Sequence, residues 1–266
     1  MNIPREEDDP MSLIPSTLAV AFSACVLIVV WPFSARQIRA VAGPMALVTT
    51  LLTAPVTVAA ADLAHARGPD GSGHLPGTLQ PPLTKVWERK LGPSVTSAAV
   101  VVGEVIYVGV NDSSVQALSL ADGSPLWRCE LDSSPGGAPV YHDGALYVGS
   151  SAGTVYRLDP GDGTIVWEQP LDGAINGMVG VVAGKGDQPT TVVAGHYEGE
   201  IVGLDAADGS QRWLISSSDP FNGAPSISGG KAVVGGCDAT VHVVDGLSGT
   251  EGEGYGLPEF IPASVT

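Results

Sequence analysis

LSLADGSPLW, LDPGDGTIVW and LDAADGSQRW, at Leu118–Trp127, Leu158–Trp167 and Leu204–Trp213, are one phrase written three times. Trp87, Trp127, Trp167 and Trp213 stand 40, 40 and 46 residues apart. Four residues before the last three of them come Gly123, Gly163 and Gly209, and eight before come Ser119, Asp159 and Asp205. Eighteen before come Gly109, Gly149 and Gly195. A fourth copy keeps Gly235, Asp245 and Gly249 but carries Glu253 where the tryptophan belongs. The six extra residues of the third copy fit at Lys185–Thr190, a turn-rich stretch that can absorb an insertion. Self-similarity at a period near 40 residues restricts the chain to a repeat architecture, whose units bury their apolar faces against one another.

Within the second copy, APVYHD, ALYVGSS, TVYRLD and TIVWEQPL are short runs rich in β-branched and aromatic residues. The residues between them, G, AG and PGDG, are hairpin-turn chemistry. Four antiparallel strands per repeat describe a propeller blade. A solenoid of paired helices would not tolerate the 35 glycines and 21 prolines of this chain. The expected fold is therefore all-β: a β-propeller of four-stranded antiparallel blades, about four blades and a stub of an incomplete ring, behind N-terminal hydrophobic helices. Each tryptophan falls on the last strand of its unit, where a ring covering roughly 150–250 Å² can seal one blade against its neighbour. Asp159 and Asp205 are placed to accept hydrogen bonds from backbone N–H groups of the following turn. Gly254–Thr266, GYGLPEFIPASVT, reads as the opening strand of a fifth blade, and an open ring end gives a route to self-association.

The frame Asp159, Gly163, Trp167, with its copies Asp205, Gly209, Trp213 and Gly123, Trp127, resembles the tryptophan-docking repeat of the pyrroloquinoline-quinone (PQQ) propeller superfamily. The resemblance runs from about Ala66 to Thr266. ARGPDGSGH at Ala66–His74 is similar to the start of exported bacterial propellers of this type, though without their tryptophans. The superfamily holds eight-bladed PQQ-dependent dehydrogenases and also a periplasmic scaffold lipoprotein of the outer-membrane protein assembly machine. The resemblance thus implies a fold and leaves activity open, since function lives in sites grafted on folds. For an enzyme it would imply PQQ, a calcium ion held by carboxylate and amide oxygens, a catalytic aspartate and often a disulfide between adjacent cysteines. The sequence has no adjacent cysteine pair and no Cys-x-x-Cys-His. DPGDG lacks the alternating oxygen ligands of a calcium loop, and the five histidines show no metal-ligand spacing. No cofactor, metal or catalytic residue is assigned; PQQ with calcium belongs only to the alternative of a quinoprotein fragment.

The front of the chain differs. Residues 1–61 are a hydrophobic export or anchor region, 62–84 a loop-rich linker, and 85–266 the repeats. Leu13–Phe33 is an uncharged run of 21 residues, long enough to cross a bilayer. In one reading it pairs with Ala40–Ala61 as a transmembrane hairpin around Arg36 and Arg39. In the other, those arginines open a signal peptide with apolar Val41–Val58 and a cleavage site at the AAA of residues 59–61. Cys25, inside an apolar run, is read as a cysteine within an apolar helix rather than a lipoprotein cysteine. Both readings export the propeller. From Asp62 onward 24 acidic side chains face nine basic ones, a net charge of −15. Such a surface disfavours nucleic acid. Cys129 and Cys237 fall in different units and are expected as separate thiols.

What varies between copies is the set of loops joining second to third strands, together with those joining successive units. The first set is Asn111 and Asp112; Ser150 and Ser151; His196, Tyr197 and Glu198; Cys237 and Asp238. The second set includes residues 132–137, 172–177 and 216–223. In a four-stranded blade these share one face. They can be solvated turns, or they can carry the contact with a protein partner, with Tyr197 and Phe221 as the apolar anchors. The expected function is non-catalytic binding or scaffolding by an exported or membrane-anchored propeller at the cell envelope.

Overall fold

A computed structural model of the chain describes Pro82, residues 84–95 and residues 97–258, all within a compact unit spanning Val56–Thr266. The hydrophobic region at 1–61, Cys25, both export readings and most of the linker at 62–84 lie outside the described residues. Among the described residues no helix is long and apolar enough to cross a membrane.

The strands fall into four sheets of four, each an antiparallel meander whose strands neighbour in chain order. The first blade holds β1 (Ala99–Val102), β2 (Val105–Val110), β3 (Ser114–Ser119) and β4 (Pro125–Glu130). The second holds β5 (Val140–His142), β6 (Ala145–Gly149), β7 (Thr154–Leu158) and β8 (Ile165–Pro170). The third holds β9 (Gly180–Val182), β10 (Thr191–His196), β11 (Glu200–Asp205) and β12 (Gln211–Ser216). The fourth holds β13 (Ser226–Ser228), β14 (Lys231–Gly235), β15 (Thr240–Asp245) and β16 (Tyr255–Gly256). Successive blades touch through their first strands, β1 with β5, β5 with β9 and β9 with β13. That is propeller packing, with first strands innermost.

Short turns join the first two strands. Asp143–Gly144 and Gly229–Gly230 have positive φ at both central residues, 44° and 75°, then 57° and 81°, as a type I′ hairpin requires. In the third blade residues 183–190 replace this two-residue turn, closing on themselves through reciprocal backbone bonds between Lys185 and Gln188. The insertion sits where the frame places it.

Apolar side chains concentrate between blades. Val115 and Ala117 of the first blade meet Leu146 and Leu158 of the second. Val155 and Trp167 of the second meet Val192 and Leu204 of the third. Ile201 and Trp213 of the third meet Val234 and Val244 of the fourth. In the first three blades the ladder between the last two strands slips by one residue, leaving Leu126, Val166 and Arg212 as bulges just before each tryptophan.

The tryptophans seal the blades, and the contact runs forward along the chain. The indole N–H of Trp127 donates to Pro160 O (2.9 Å), that of Trp167 to Ala206 O (3.1 Å) and that of Trp213 to Gly246 O (3.2 Å). Trp87 does the same at Leu120 O (2.9 Å). Each acceptor follows the Ser or Asp of the next unit, and each ring lies on that unit's glycine, Gly123, Gly163, Gly209 or Gly249. These glycines have φ between 68° and 77°, and a Cβ there would run into the indole. Asp159 Oδ1 accepts from Gly161 N and Asp205 Oδ1 from Ala207 N, fixing the turn that carries the acceptor carbonyl.

The end of the fourth blade corrects one expectation. Tyr255 and Gly256 do not open a fifth blade; they pair with Val241 and Thr240 as the outer strand of the fourth. They stand two and three residues past Glu253, the register that Cys129 and Glu130 hold in the first blade. Residues 259–266 lie outside the described residues.

Candidate functional site: the loop face

The loops that vary between copies lie together because the backbone stitches them. In every blade the third loop residue has a left-handed φ: Ser113 (61°), Gly153 (97°), Gly199 (84°) and Ala239 (60°). Its carbonyl accepts from the residue leaving the outer strand, Leu131, Leu171, Ser217 or Leu257. The first loop residue of each blade donates its N–H backward to the preceding connection. Asn111 bonds Ser94 O, Ser151 bonds Ser134 O, Tyr197 bonds Ala174 O and Cys237 bonds Pro220 O. The face is thus a row of loops in fixed register rather than separate turns.

On this scaffold the expected residues divide. Asn111 is exposed, and its Nδ2 donates to Ser94 Oγ (2.9 Å). Asp112 pairs with Arg128 Nη1 (2.7 Å), and its Oδ1 accepts from Ser114 Oγ. Partial burial works against the Asp112 charge, yet Ser114 and Arg128 outweigh it and hold the carboxyl below its usual range. Tyr197 is 50% exposed and Glu198 beside it is exposed. With Asn111 and Ser151, these two form the part of the expected loops that reaches solvent.

Phe221 does not join them. It is 0% exposed, packed among Ile201, Val234 and Val244 with its ring edge-on to His242 at 5.2 Å. Its N–H donates to His196 O, which turns the connection inward. Phe221 is therefore a core anchor of the third and fourth blades, and the expectation of a partner-contacting ring is corrected. Ser150 and His196 are buried as well. Ser150 Oγ accepts from Thr154 N (3.1 Å). His196 Nδ1 accepts from Glu198 N (3.3 Å), so Nε2 carries the proton donated to Glu200 Oε2 (3.0 Å). Both shape the loops from beneath.

Asp238 is also largely enclosed. It accepts from Ser217 Oγ (2.7 Å), Thr240 N (2.9 Å) and the His242 ring (2.9 Å). The other ring nitrogen of His242 meets Glu251 at 2.6 Å. Sequence reasoning missed this cluster, because Glu251 reaches His242 only once the last turn of the blade has folded back. Cys129 and Cys237 are both free thiols; burial pushes the Cys129 thiol up. Among the described residues no group of three or more His, Cys, Asp or Glu side chains is placed to hold a metal ion.

Four meandering sheets, joined by forward-docking tryptophans and topped by stitched loops, define a β-propeller of PQQ-like repeats. The family model described as outer membrane protein assembly factor BamB matches twice, over residues 82–176 and 152–252, and the chain belongs to that family. Among solved structures, BamB from Moraxella catarrhalis superposes with a TM-score of 0.50 at 20% identity, over 60% of this chain and 51% of that one. The computationally designed Ika8 protein superposes with a TM-score of 0.55 at 19% identity, over 67% of this chain and 54% of that one. The chain spans about half the length of both, and at such identities the likeness establishes the fold alone. No curated protein matches.

Proposed function

We propose that this chain is an exported or membrane-anchored propeller that serves as a non-catalytic binding module at the cell envelope, holding a protein partner on its loop face. The observation that carries the reading is the double match to a family described as an outer-membrane assembly factor. The geometry supports it in kind. The loops are held in register by backbone bonds, so they meet a partner at small ordering cost. Tyr197 supplies a half-exposed aromatic ring of the type that anchors interfaces, with exposed Glu198 at its rim.

Two measurements test this. Protease accessibility in intact and permeabilised cells reads export; a propeller digested only after the inner membrane is opened contradicts it. A photo-crosslinker at position 197, and for comparison at Asp162 on the opposite turns, reads the face. One discrete adduct from 197 and none from 162 is expected, whereas the same pattern from both positions removes the loop face from the proposal. Dye reduction on adding PQQ and Ca²⁺ would replace the binding module with an oxidoreductase.

A further inference from the structure

We propose that His242 is a pH-operated latch on the outer edge of the fourth blade, closed while its ring is protonated and released when the ring loses its proton. Its Nδ1 lies 2.6 Å from Glu251 Oε1 and its Nε2 lies 2.9 Å from Asp238 Oδ2. A carboxylate only accepts hydrogen bonds, and a neutral imidazole has a single N–H. The neutral ring therefore satisfies one carboxylate and turns a lone pair on the other, while the imidazolium donates to both. The cluster ties three segments together. Asp238 belongs to the loop before β15, Glu251 to the segment leading into β16, and Ser217, which donates to Asp238 at 2.7 Å, to the connection from the third blade.

The latch stands where the ordinary fastening is missing. Outer strands β4, β8 and β12 are six residues long, and each carries a sealing tryptophan. The fourth blade has exposed Glu253 at that position and an outer strand of two residues. Beyond that strand, the segment is held by backbone bonds from Asp245 N to Thr250 O, Gly252 N to Val243 O and Leu257 N to Ala239 O, by the bridge between Val244 and Glu251, and by His242. At the frame position of His242 the other blades place Gln116, Tyr156 and Val202, none of which changes charge near neutral pH.

The charged groups that act on the ring are Asp238 and Glu251, and Phe221 packs on it without charge. Burial disfavours the charged ring, but the two carboxylates outweigh it and raise His242 above its ordinary value of 6.5. A group raised in the folded state stabilises fully below its unfolded value and loses that contribution as pH rises through the folded value. Asp238 is held below its ordinary range despite burial, by Ser217 and His242, so its carboxylate persists into acid. The latch is therefore closed in mild acid and opens on the alkaline side of 6.5.

Hydrogen exchange on the full chain, followed by mass spectrometry between about pH 5.5 and 8.5 and corrected for the intrinsic rate, tests the latch. Protection of residues 250–258 should fall about tenfold for each unit by which the folded His242 value is raised. Protection of β7 should stay constant. His242→Gln and Glu251→Gln should both flatten the profile. If His242→Gln loses β7 protection it has unfolded, and Glu251→Gln then decides alone, since it leaves the Asp238 contact in place. The same pH profile in wild type and variants overturns the latch, as does an equal fall in β7.

Discussion

Gly209→Ala reads the contact between blades most directly, and Gly144→Ala is its natural comparison. The two glycines have nearly the same left-handed backbone, φ 77° and 75°. An alanine in that region costs about 1–2 kcal/mol. At Gly144 nothing lies within 4 Å of the added carbon, so this backbone term is the whole expected loss. At Gly209 the added carbon would lie 2.8 Å from Cε3 and 2.9 Å from Cδ2 of Trp167. The ring is hindered from swinging clear, because its N–H is bonded to Ala206 O and it packs at a tilt against Tyr147. Forcing a methyl into such packing adds roughly 1–3 kcal/mol. Gly209→Ala should thus destabilise by ~2–5 kcal/mol and Gly144→Ala by ~1–2. Guanidinium unfolding followed by far-ultraviolet circular dichroism measures both without depending on tryptophan emission. In a Trp167→Ala background the Gly209 cost should drop to that of Gly144. Equal losses at the two glycines, or a Gly209 cost that survives removal of Trp167, would refute the forward-docking seal.

Trp167→Ala should itself cost ~3–5 kcal/mol through the cavity it leaves, whereas Tyr197→Ala on the loop face should cost under ~1, as paired denaturant melts will show. Phe221→Ala belongs with the first of these and should also lose ~3–5 kcal/mol; a near-neutral result would return Phe221 to the surface. Asp238 is held below its ordinary value, so its contribution is present above that value and lost as pH falls through the folded one. Acid titrations should accordingly show Asp238→Asn weaker than wild type at neutrality, with a shallower decline between about pH 4 and 2.

The blade frame was readable in the sequence because it is local and written four times. Asp159, Gly163 and Trp167 lie within one turn and one strand; the glycine recurs in all four copies, the Asp and the Trp in three each. The direction of the tryptophan contact was not readable, because spacing within a unit is the same whether the ring docks on its own glycine or on the next. Phe221 misled for a different reason. An aromatic between Pro220 and Asn222 has the composition of an exposed loop, and only the bond from its N–H to His196 O turns it inward. The latch was equally silent, since a histidine between two carboxylates depends on where Glu251 lands after the turn at Ser248–Gly249. Tyr255 and Gly256 could have been placed from the frame itself, by counting past Glu253.

Forward docking gives the chain a grammar. A unit's tryptophan is shaped for its successor's glycine, so a blade holds the key to the next blade and the lock for the one before. An insertion inside a unit leaves that exchange untouched, as residues 185–190 show by lengthening the third blade while Trp167 still reaches Gly209. Loss of a tryptophan instead loosens the joint itself, on the following unit and on its own blade, where the ring also packs on Tyr107, Tyr147 or Gly203. Trp87 extends the rule to the front of the arc, where residues outside any strand close the face of the first blade. A lineage growing such a chain by duplication therefore inherits a matched joint with every added copy, and drift is felt downstream when it strikes a tryptophan and upstream when it strikes a glycine.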